Sequence, residues 1–171
     1  MIDLYLDFDG VLVDTITVTY EMMKELGIEI SNTNLVCNFY KNLDWNNLLN
    51  NINEIDKAFY YIQILKETKI YNISILTTVN SLQEMIAKIV YIRKKDKDIN
   101  IICVPKGVEK CNVVKPKNSI LVDDYSGNLN TWYENEGIPI KFSKEQNNKY
   151  LTIDSLKKLT ESSFVKKLVK N

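Results

Sequence analysis

The chain has 171 residues, of which 45% are hydrophobic and 26% charged, which is typical of a globular protein with a full hydrophobic core. Lysine plus arginine and aspartate plus glutamate each number 22, so the zero net charge argues against binding to nucleic acid or to an anionic membrane surface. Histidine is absent and the three cysteines are far apart, which excludes a Ser/His or Cys/His nucleophile and argues against zinc. We expect a cytoplasmic protein with no membrane span.

The predicted elements alternate between strands and helices. Apolar residues recur three or four positions apart in the helices, and Ser81 with Glu84 forms a capping box. Pro139 suggests that the last strand lies at an edge of the sheet. Such alternation predicts an α/β fold whose mainly parallel sheet is covered on both faces. In chain order we predict a strand at 2–6, helices at 11–26, from about 44 and at 54–69, a strand at 73–76, a helix from 81 to about 95, a strand at 99–104, one or two helical turns at 109–114, a strand at 120–122, a helix at 125–136 with Leu129, Trp132 and Tyr133 inward, a strand at 138–142 and a helix at 155–169.

Two aspartates follow the first strand. Residues i and i+2 of an extended chain point to the same side, so Asp7 and Asp9 leave the strand together. Open α/β sheets bind their ligands at this end of the strands. Two like charges this close repel each other unless a cation or a shared proton holds them. We therefore expect a positive charge beside Asp7 and Asp9.

Two later strands also end in polar residues. The strand at 73–76 is followed by Thr77 and Thr78, and the strand at 120–122 by Asp123 and Asp124. A lysine, with Lys110 as the best candidate, precedes the latter strand. In a parallel sheet these groups meet at one edge. Carboxylates with Mg²⁺, a hydroxyl and an ammonium group form a site for a phosphoryl group.

These motifs together resemble the haloacid dehalogenase-like (HAD) superfamily of phosphohydrolases, from residue 2 to about residue 142. The family's D-x-D-G-x-x-x-D motif is matched by 7–14, its strand ending in Thr or Ser by I-S-I-L-T, and its strand ending in two acids by I-L-V-D-D. The tract D-D-Y-S-G-N-L-N-T-W looks most like the 5′(3′)-deoxyribonucleotidase-like (5′-nucleotidase) branch. The resemblance implies a single Rossmann-like domain over 1–171, a three-layer sandwich with a small helical cap inserted at 15–70.

The resemblance also implies roles for these residues. Asp7 is expected to be the nucleophile, forming an aspartyl-phosphate, and Asp9 to protonate the leaving oxygen and then deprotonate the attacking water. Mg²⁺ is expected on the Asp7 carboxylate, the Asp9 carbonyl and Asp124, with Asp123 orienting Asp124 or Lys110. The phosphoryl oxygens are expected to contact Thr77 and Lys110.

Several alternatives remain open at this stage. Asp7 and Asp9 would also suit a surface turn or a calcium loop, although Val11 breaks the calcium-loop pattern. The Asp123–Asp124 pair would also suit a helix N-cap. Thr78 is the alternative to Thr77. For the lysine, the alternatives to Lys110 are Lys115 and Lys117, with Lys106 also near.

The cap is expected to select the leaving group. It is rich in aromatic residues, most of which suit its core, and Trp45, in a polar stretch, is the candidate for ligand contact. The deoxyribonucleotidase-like proteins have an aromatic residue soon after the first motif, where this chain has Thr15 and Ile16. That difference leaves open a broader or different phosphomonoester.

The sequence thus predicts a Mg²⁺-dependent phosphomonoesterase acting on a nucleoside 5′-monophosphate or a similar small phosphomonoester. The alternatives are a phosphatase for nucleic-acid ends or sugar phosphates, and a non-catalytic phosphate-binding protein of the same fold. We expect a small-molecule substrate and neither nucleic acid nor membrane as partner. The sequence carries no signal for a particular oligomeric state.

Overall fold

A computed structural model describes residues 1–164, and its regular elements follow the predicted alternation. Two short 3₁₀ helices, Lys110–Asn112 and Leu156–Thr160, accompany them. In chain order the elements are β1 (Ile2–Leu6), α1 (Thr15–Glu25), α2 (Thr33–Asn42), α3 (Trp45–Asn50), α4 (Ala58–Glu67), β2 (Tyr71–Val79), α5 (Leu82–Lys95), β3 (Asn100–Pro105), β4 (Ile120–Asp123), α6 (Ser126–Glu134), β5 (Ile138–Phe142) and β6 (Leu151–Ile153).

The six strands form one parallel sheet in the order β3-β2-β1-β4-β5-β6. β1 lies inside it, with Leu6 in register with Ile75 on one side and Val122 on the other. The backbone N–H of Asp7 donates to the Val122 carbonyl at 2.9 Å, which extends the sheet one residue past β1. The carboxyl ends of β1, β2 and β4 therefore lie side by side, as the sequence predicts.

Alternate residues of the strands belong to two separate cores, one on each face of the sheet. Val122 belongs to the larger core, which also includes residues of α3, α4 and α5. Leu121 belongs to the smaller core, together with Leu129 and Trp132 of α6. This α/β arrangement, a Rossmann-like sandwich of helices, sheet and helix, confirms the predicted fold class. No helix within residues 1–164 combines the length and the apolarity that a bilayer crossing needs.

Four helices lie between β1 and β2. Side-chain caps begin three of them, with Asp14, Asn32 and Asp44 each accepting a hydrogen bond from a backbone N–H of the first turn. α3 and α4 bury apolar residues in the larger core, whereas no residue of α2 is fully buried. α2 was absent from the sequence prediction because the Asn-rich stretch at 28–53 was interpreted as polar, although half of the α2 residues are apolar.

Three predicted boundaries in the N-terminal half and one orientation were wrong. The helix predicted at 54–69 begins only at Ala58. The helix predicted from Val11 starts only at Thr15, because Gly10 (φ +70°) begins a tight turn and Asp14 then caps the helix. The strand predicted at 73–76 extends over Tyr71–Val79. Tyr133, predicted to point inward, is largely exposed.

β5 was predicted to be an edge strand, which is wrong, since β6 pairs with it. The N–H of Ile138 donates to the Ser119 carbonyl, on the β4 side of the strand. Successive residues of a strand alternate in direction, so position 139, where proline has no N–H, faces β6. Pairing with β6 begins only at Ile140, so the proline costs no hydrogen bond. The predicted helix at 155–169 is a 3₁₀ helix over Leu156–Thr160 followed by helical residues at 162–164, and its last part lies outside the described residues.

Candidate active site

Asp7 lies at the carboxyl end of β1 and is almost completely buried. Its Oδ1 accepts hydrogen bonds from the Phe8 N–H at 2.8 Å and contacts the Lys110 Nζ at 2.9 Å. Burial raises the pKa of the Asp7 carboxyl well above its usual range, Lys110 opposes this, and the nearby carboxylates of Asp123, Asp9 and Asp124 add to it. Neither of these contacts involves the second carboxylate oxygen of Asp7, Oδ2. Within residues 1–164 every fully buried side-chain oxygen has a hydrogen-bond partner, so Oδ2, which has none, is accessible from the cavity.

Lys110 bridges Asp7 and Asp123 from the 3₁₀ helix that precedes β4. Its Nζ lies 2.7 Å from Oδ2 of Asp123, and the lysine side chain is only 1% exposed. Burial alone would lower the pKa of Lys110, but the two carboxylates outweigh burial and raise it. Asp7 and Asp123 therefore favour the charged form of Lys110 at the floor of the site.

Asp123 is fully buried, and both of its carboxylate oxygens accept hydrogen bonds from neighbouring residues. Its Oδ1 accepts from the Tyr125 N–H at 2.8 Å, and its Oδ2 accepts from Asn128 Nδ2 at 2.9 Å as well as from Lys110. These bonds occupy both oxygens and hold Lys110 against Asp7. Asn128, on α6, was not recognised in the sequence, because an asparagine in the first turns of a helix has many possible roles.

Asp124 lines the cavity beside Gly10. A Cβ at position 10 would lie 2.5 Å from Oδ2 of Asp124, so only glycine permits this approach. Lys141, at the end of β5, donates to the Asp124 backbone carbonyl. Burial, Asp123 and Asp9 raise the pKa of the Asp124 carboxyl to about 7, while Lys141 and Lys110 oppose the shift.

Carboxylate oxygens of Asp7, Asp123 and Asp124 all lie within 4.8 Å of one another. These are hard oxygen donors, which Mg²⁺ prefers to nitrogen or sulfur ligands. Lys110 pairs with Asp7 and Asp123, and Lys141 lies at the backbone of Asp124, so three carboxylates face two ammonium groups and the local charge favours a further cation. The donor set therefore fits Mg²⁺, with Asp7 and Asp124 on the cavity side.

Asp9 also lines the cavity, and its side chain is 19% exposed. Its Oδ1 accepts a hydrogen bond from the Thr15 hydroxyl at 2.7 Å. Its Oδ2 forms an ion pair with Lys88 of α5 at 2.5 Å. The cation that we expected beside the first two aspartates is thus two lysines, one for each carboxylate.

The two threonines at the end of β2 have different environments. Thr77 is fully buried, and its hydroxyl lies 3.2 Å from Lys88 Nζ and 3.5 Å from Oδ2 of Asp9. Thr78 is partly exposed and lines the cavity. Thr78 therefore borders the cavity, whereas the Thr77 hydroxyl contacts the buried lysine.

The structure separates the four candidate lysines. Lys110 alone among them is buried beside Asp7. Lys115 is exposed, and Lys117 forms a surface ion pair with Glu136 at 2.7 Å. Lys106 is exposed at the rim of the cavity.

The cavity above Asp7 has a volume of about 610 Å³. One wall is formed by the inserted helices, where Ile16 and Tyr20 of α1 and Val36 and Tyr40 of α2 line it. Trp45 also borders the cavity but is only 4% exposed. Its indole N–H donates to the Tyr40 carbonyl at 3.3 Å, and the two rings stack with centroids 6.2 Å apart.

Sequence reasoning did not identify Lys88 and Glu84 as site residues. Glu84 was assigned only to the capping box, yet its carboxylate accepts from the Asn80 N–H at 2.8 Å and lies 2.7 Å from Lys88 Nζ. The available signal was their position, since Glu84, Lys88 and Ile92 are four residues apart and share one helix face with the core. A charged pair on that face predicts a buried partner.

No protein-family profile matches the sequence, and no curated protein does. Solved structures do share its fold. A D,D-heptose 1,7-bisphosphate phosphatase from B. bronchiseptica, complexed with magnesium and phosphate, has a TM-score of 0.60 and 10% identity, with 97% of this chain and 99% of that chain covered. β-Phosphoglucomutase from Clostridium difficile has a TM-score of 0.57 and 15% identity, with coverages of 99% and 98%.

A third such structure is a HAD-superfamily hydrolase of subfamily IA from Geobacter sulfurreducens, with a TM-score of 0.58 and 11% identity. The match covers 93% of this chain and 94% of the hydrolase chain. These structures confirm the HAD-like fold over almost the whole chain. At such low identities they establish the fold alone.

Proposed function

We propose that the protein is a Mg²⁺-dependent phosphomonoesterase that works through an aspartyl-phosphate on Asp7, with a nucleoside 5′-monophosphate as the leading substrate class. One observation supports this above all. One carboxylate oxygen of Asp7 is accessible from the cavity, and the other lies 2.9 Å from Lys110 Nζ. Carboxylate oxygens of Asp123 and Asp124 lie within 4.8 Å, and Asp9 lines the same cavity. A nucleophile, a proton carrier and an anion-binding charge thus meet at one point.

In the first half of the reaction, Oδ2 of Asp7 attacks phosphorus, the bond from phosphorus to the leaving oxygen breaks, and Asp9 gives its proton to that oxygen. In the second half, water attacks phosphorus, the Asp7–phosphorus bond breaks, and the water proton returns to Asp9. Both aspartates end as they began. Their separate lysines, Lys110 and Lys88, keep the two carboxylates in different environments.

Asp7, Asp124 and the Asp9 carbonyl would hold the Mg²⁺, with Asp123 fixing the position of Lys110. When bound, the ion would supply positive charge to the phosphoryl oxygens and relieve the repulsion between the carboxylates and an anionic substrate. Lys110 adds a fixed charge from below. We assign contact with the phosphoryl group to Thr78 rather than Thr77, because Thr78 faces the cavity.

The inserted helices support a leaving group with an apolar face. We propose that residues 15–70 act as the cap, with Ile16, Tyr20, Val36 and Tyr40 forming its substrate-facing wall. A flat nucleobase would pack on such a wall. Trp45, mostly buried, would contribute by supporting Tyr40. Sugar phosphates are the second class to test, because two of the structural neighbours are named as a heptose bisphosphate phosphatase and a phosphoglucomutase.

The test is release of inorganic phosphate from an aryl phosphate, from nucleoside 5′-monophosphates and from sugar phosphates, with Mg²⁺ and with excess chelator. Asp7→Asn should lower the rate by roughly 10⁴-fold or more, since it removes the covalent route. Asp3→Asn is the matched control, because Asp3 is exposed near the other end of β1 and its carboxylate accepts a hydrogen bond from Asn72, far from the cavity. A folded wild-type protein that releases no phosphate with Mg²⁺ present would refute the proposal.

A further inference from the structure

Lys88 is the most deeply enclosed charge outside the Lys110 cluster. Its side chain is 0% exposed, and its Nζ lies 2.5 Å from Oδ2 of Asp9 and 2.7 Å from Oε1 of Glu84. It also donates to the Thr78 carbonyl at 3.0 Å and to the Thr77 hydroxyl at 3.2 Å. An ammonium group has three protons, so these partners satisfy it completely.

Aromatic rings close the remaining sides of this ammonium. The Trp45 ring centroid lies 4.9 Å from Nζ and the Phe8 centroid 5.5 Å from it. Trp45 belongs to the inserted helices and Phe8 to the segment after β1, so water is excluded from both directions. Lys88 itself does not line the cavity and has no direct access to a substrate.

Glu84 fixes the position of Lys88. The glutamate is 1% exposed and uses one oxygen for Lys88, while the other accepts from the backbone and side-chain nitrogens of Asn80 at 2.8 and 2.9 Å. Neither partner can rotate without breaking a buried hydrogen bond. A buried ion pair contributes little net stability compared with apolar residues of similar volume, so stability alone does not account for this arrangement.

Lys88, held by Glu84, contacts Asp9 from a position that does not line the cavity. The Thr15 hydroxyl holds Oδ1 at 2.7 Å and Lys88 holds Oδ2, so the carboxylate is fixed at both oxygens while 19% of the side chain remains exposed at the cavity. We infer that Lys88, oriented by Glu84, is a positioning residue that fixes the Asp9 carboxylate for proton transfer, an inference that rests on the proposed phosphatase function. Between the two halves of the reaction Asp9 is a carboxylate, and Lys88 then supplies the opposite charge.

The test compares Lys88→Met, Asp9→Asn and the double variant in Mg²⁺-dependent phosphate release. Lys88→Met should lower kcat by about 10²-fold, the cost of a catalytic group misplaced by about 1 Å, and leave KM and the Mg²⁺ affinity unchanged. Because Lys88 acts only through Asp9, the double variant should be no slower than Asp9→Asn. A purely structural role would instead change KM or Mg²⁺ affinity and add its loss to that of Asp9→Asn.

Two further variants keep the result interpretable. Glu84→Gln preserves the volume of the side chain and should reproduce the fall in kcat in milder form. This variant replaces Lys88→Met in the test if Lys88→Met does not fold. Lys66→Met breaks another ion pair of a buried aspartate, with Asp96 at the far end of α5, and should leave kcat unchanged.

The two proposals fail in different ways. Wild-type protein without phosphatase activity refutes the proposed function before any variant is made. Active wild type with unchanged kcat in a folded Lys88→Met or Glu84→Gln protein, or with additive losses in the double variant, refutes the role of Lys88 alone.

Discussion

Replacing Gly10 with alanine tests whether the placement of Asp124 determines metal binding. The new Cβ would lie 2.5 Å from Oδ2 and 2.7 Å from Cγ of Asp124, whereas ordinary contacts begin near 3.4 Å. Because the obstructing atoms end a side chain, the clash is relieved by a displacement of the carboxylate by about 1 Å. Since Mg²⁺ demands ligand distances of about 2.0–2.1 Å in near-octahedral geometry, we expect its affinity to fall at least tenfold. The rate of phosphate release should fall by about 10²-fold.

Gly27→Ala is the matched control. Gly27 has φ +68° against +70° for Gly10, but a Cβ at position 27 meets no atom within 4 Å. Both variants carry the same backbone strain, about 1–2 kcal/mol for an alanine in the left-handed region. For a protein of this size that corresponds to a fall in Tm of roughly 2–8 °C. The two variants should therefore lose similar stability and differ in function.

The assays are thermal unfolding by circular dichroism, Mg²⁺ titration by calorimetry, and phosphate release. The reasoning predicts comparable Tm values for the two variants and a loss of Mg²⁺ affinity and activity in Gly10→Ala only. It is refuted if Gly10→Ala binds Mg²⁺ like the wild type, or if Gly27→Ala loses the same affinity and activity.

Two further predictions concern charge. Because the pKa of the Asp124 carboxyl is raised to about 7, protons compete with Mg²⁺, whose affinity should fall by up to tenfold per pH unit below about pH 7. The same raised pKa contributes stability to the metal-free protein below about pH 4 that is lost as pH rises through about 7. Calorimetric titration across this range checks the first effect, and a pH-independent affinity would contradict it. Lys110→Met should cost about 3–5 kcal/mol at neutral pH, because it leaves Asp7 and Asp123 buried without a cation. Urea unfolding should show this loss shrinking at low pH as the carboxylates take up protons, and an equal loss at all pH values would contradict the reasoning.

Local rules in the sequence predicted the centre of the site. Asp7 and Asp9 are two residues apart just after β1, and Asp123 and Asp124 follow another apolar run, so chain geometry alone brings them to one edge. Lys110 followed from its place before β4. The order of the strands, with β1 between β2 and β4, agrees with the same reasoning.

The partners of Asp9 were beyond local reasoning. The position of Lys88 and Glu84 on the core face of α5 indicates a buried partner, but Lys88 is 79 residues from Asp9, so only tertiary packing shows that this partner is Asp9. α2 and β6 were missed for a different reason. α2 does place its apolar residues at helical spacing, but it lies in an Asn-rich stretch that was interpreted as polar, and β6 has only three residues, too few for a clear period.

Because α2 is weakly buried, its residues shape the cavity wall without contributing much to stability, two properties that are usually coupled in proteins. This helix has no fully buried residue, yet Val36 and Tyr40 form part of the wall above Asp7. Substitutions at exposed or half-buried positions usually change stability by little, whereas the buried positions of α3 and α4 are constrained by the core. Under the proposed function, α2 is therefore a segment where substrate preference can be redesigned, or can drift in evolution, while Asp7 and its neighbours and the fold remain intact.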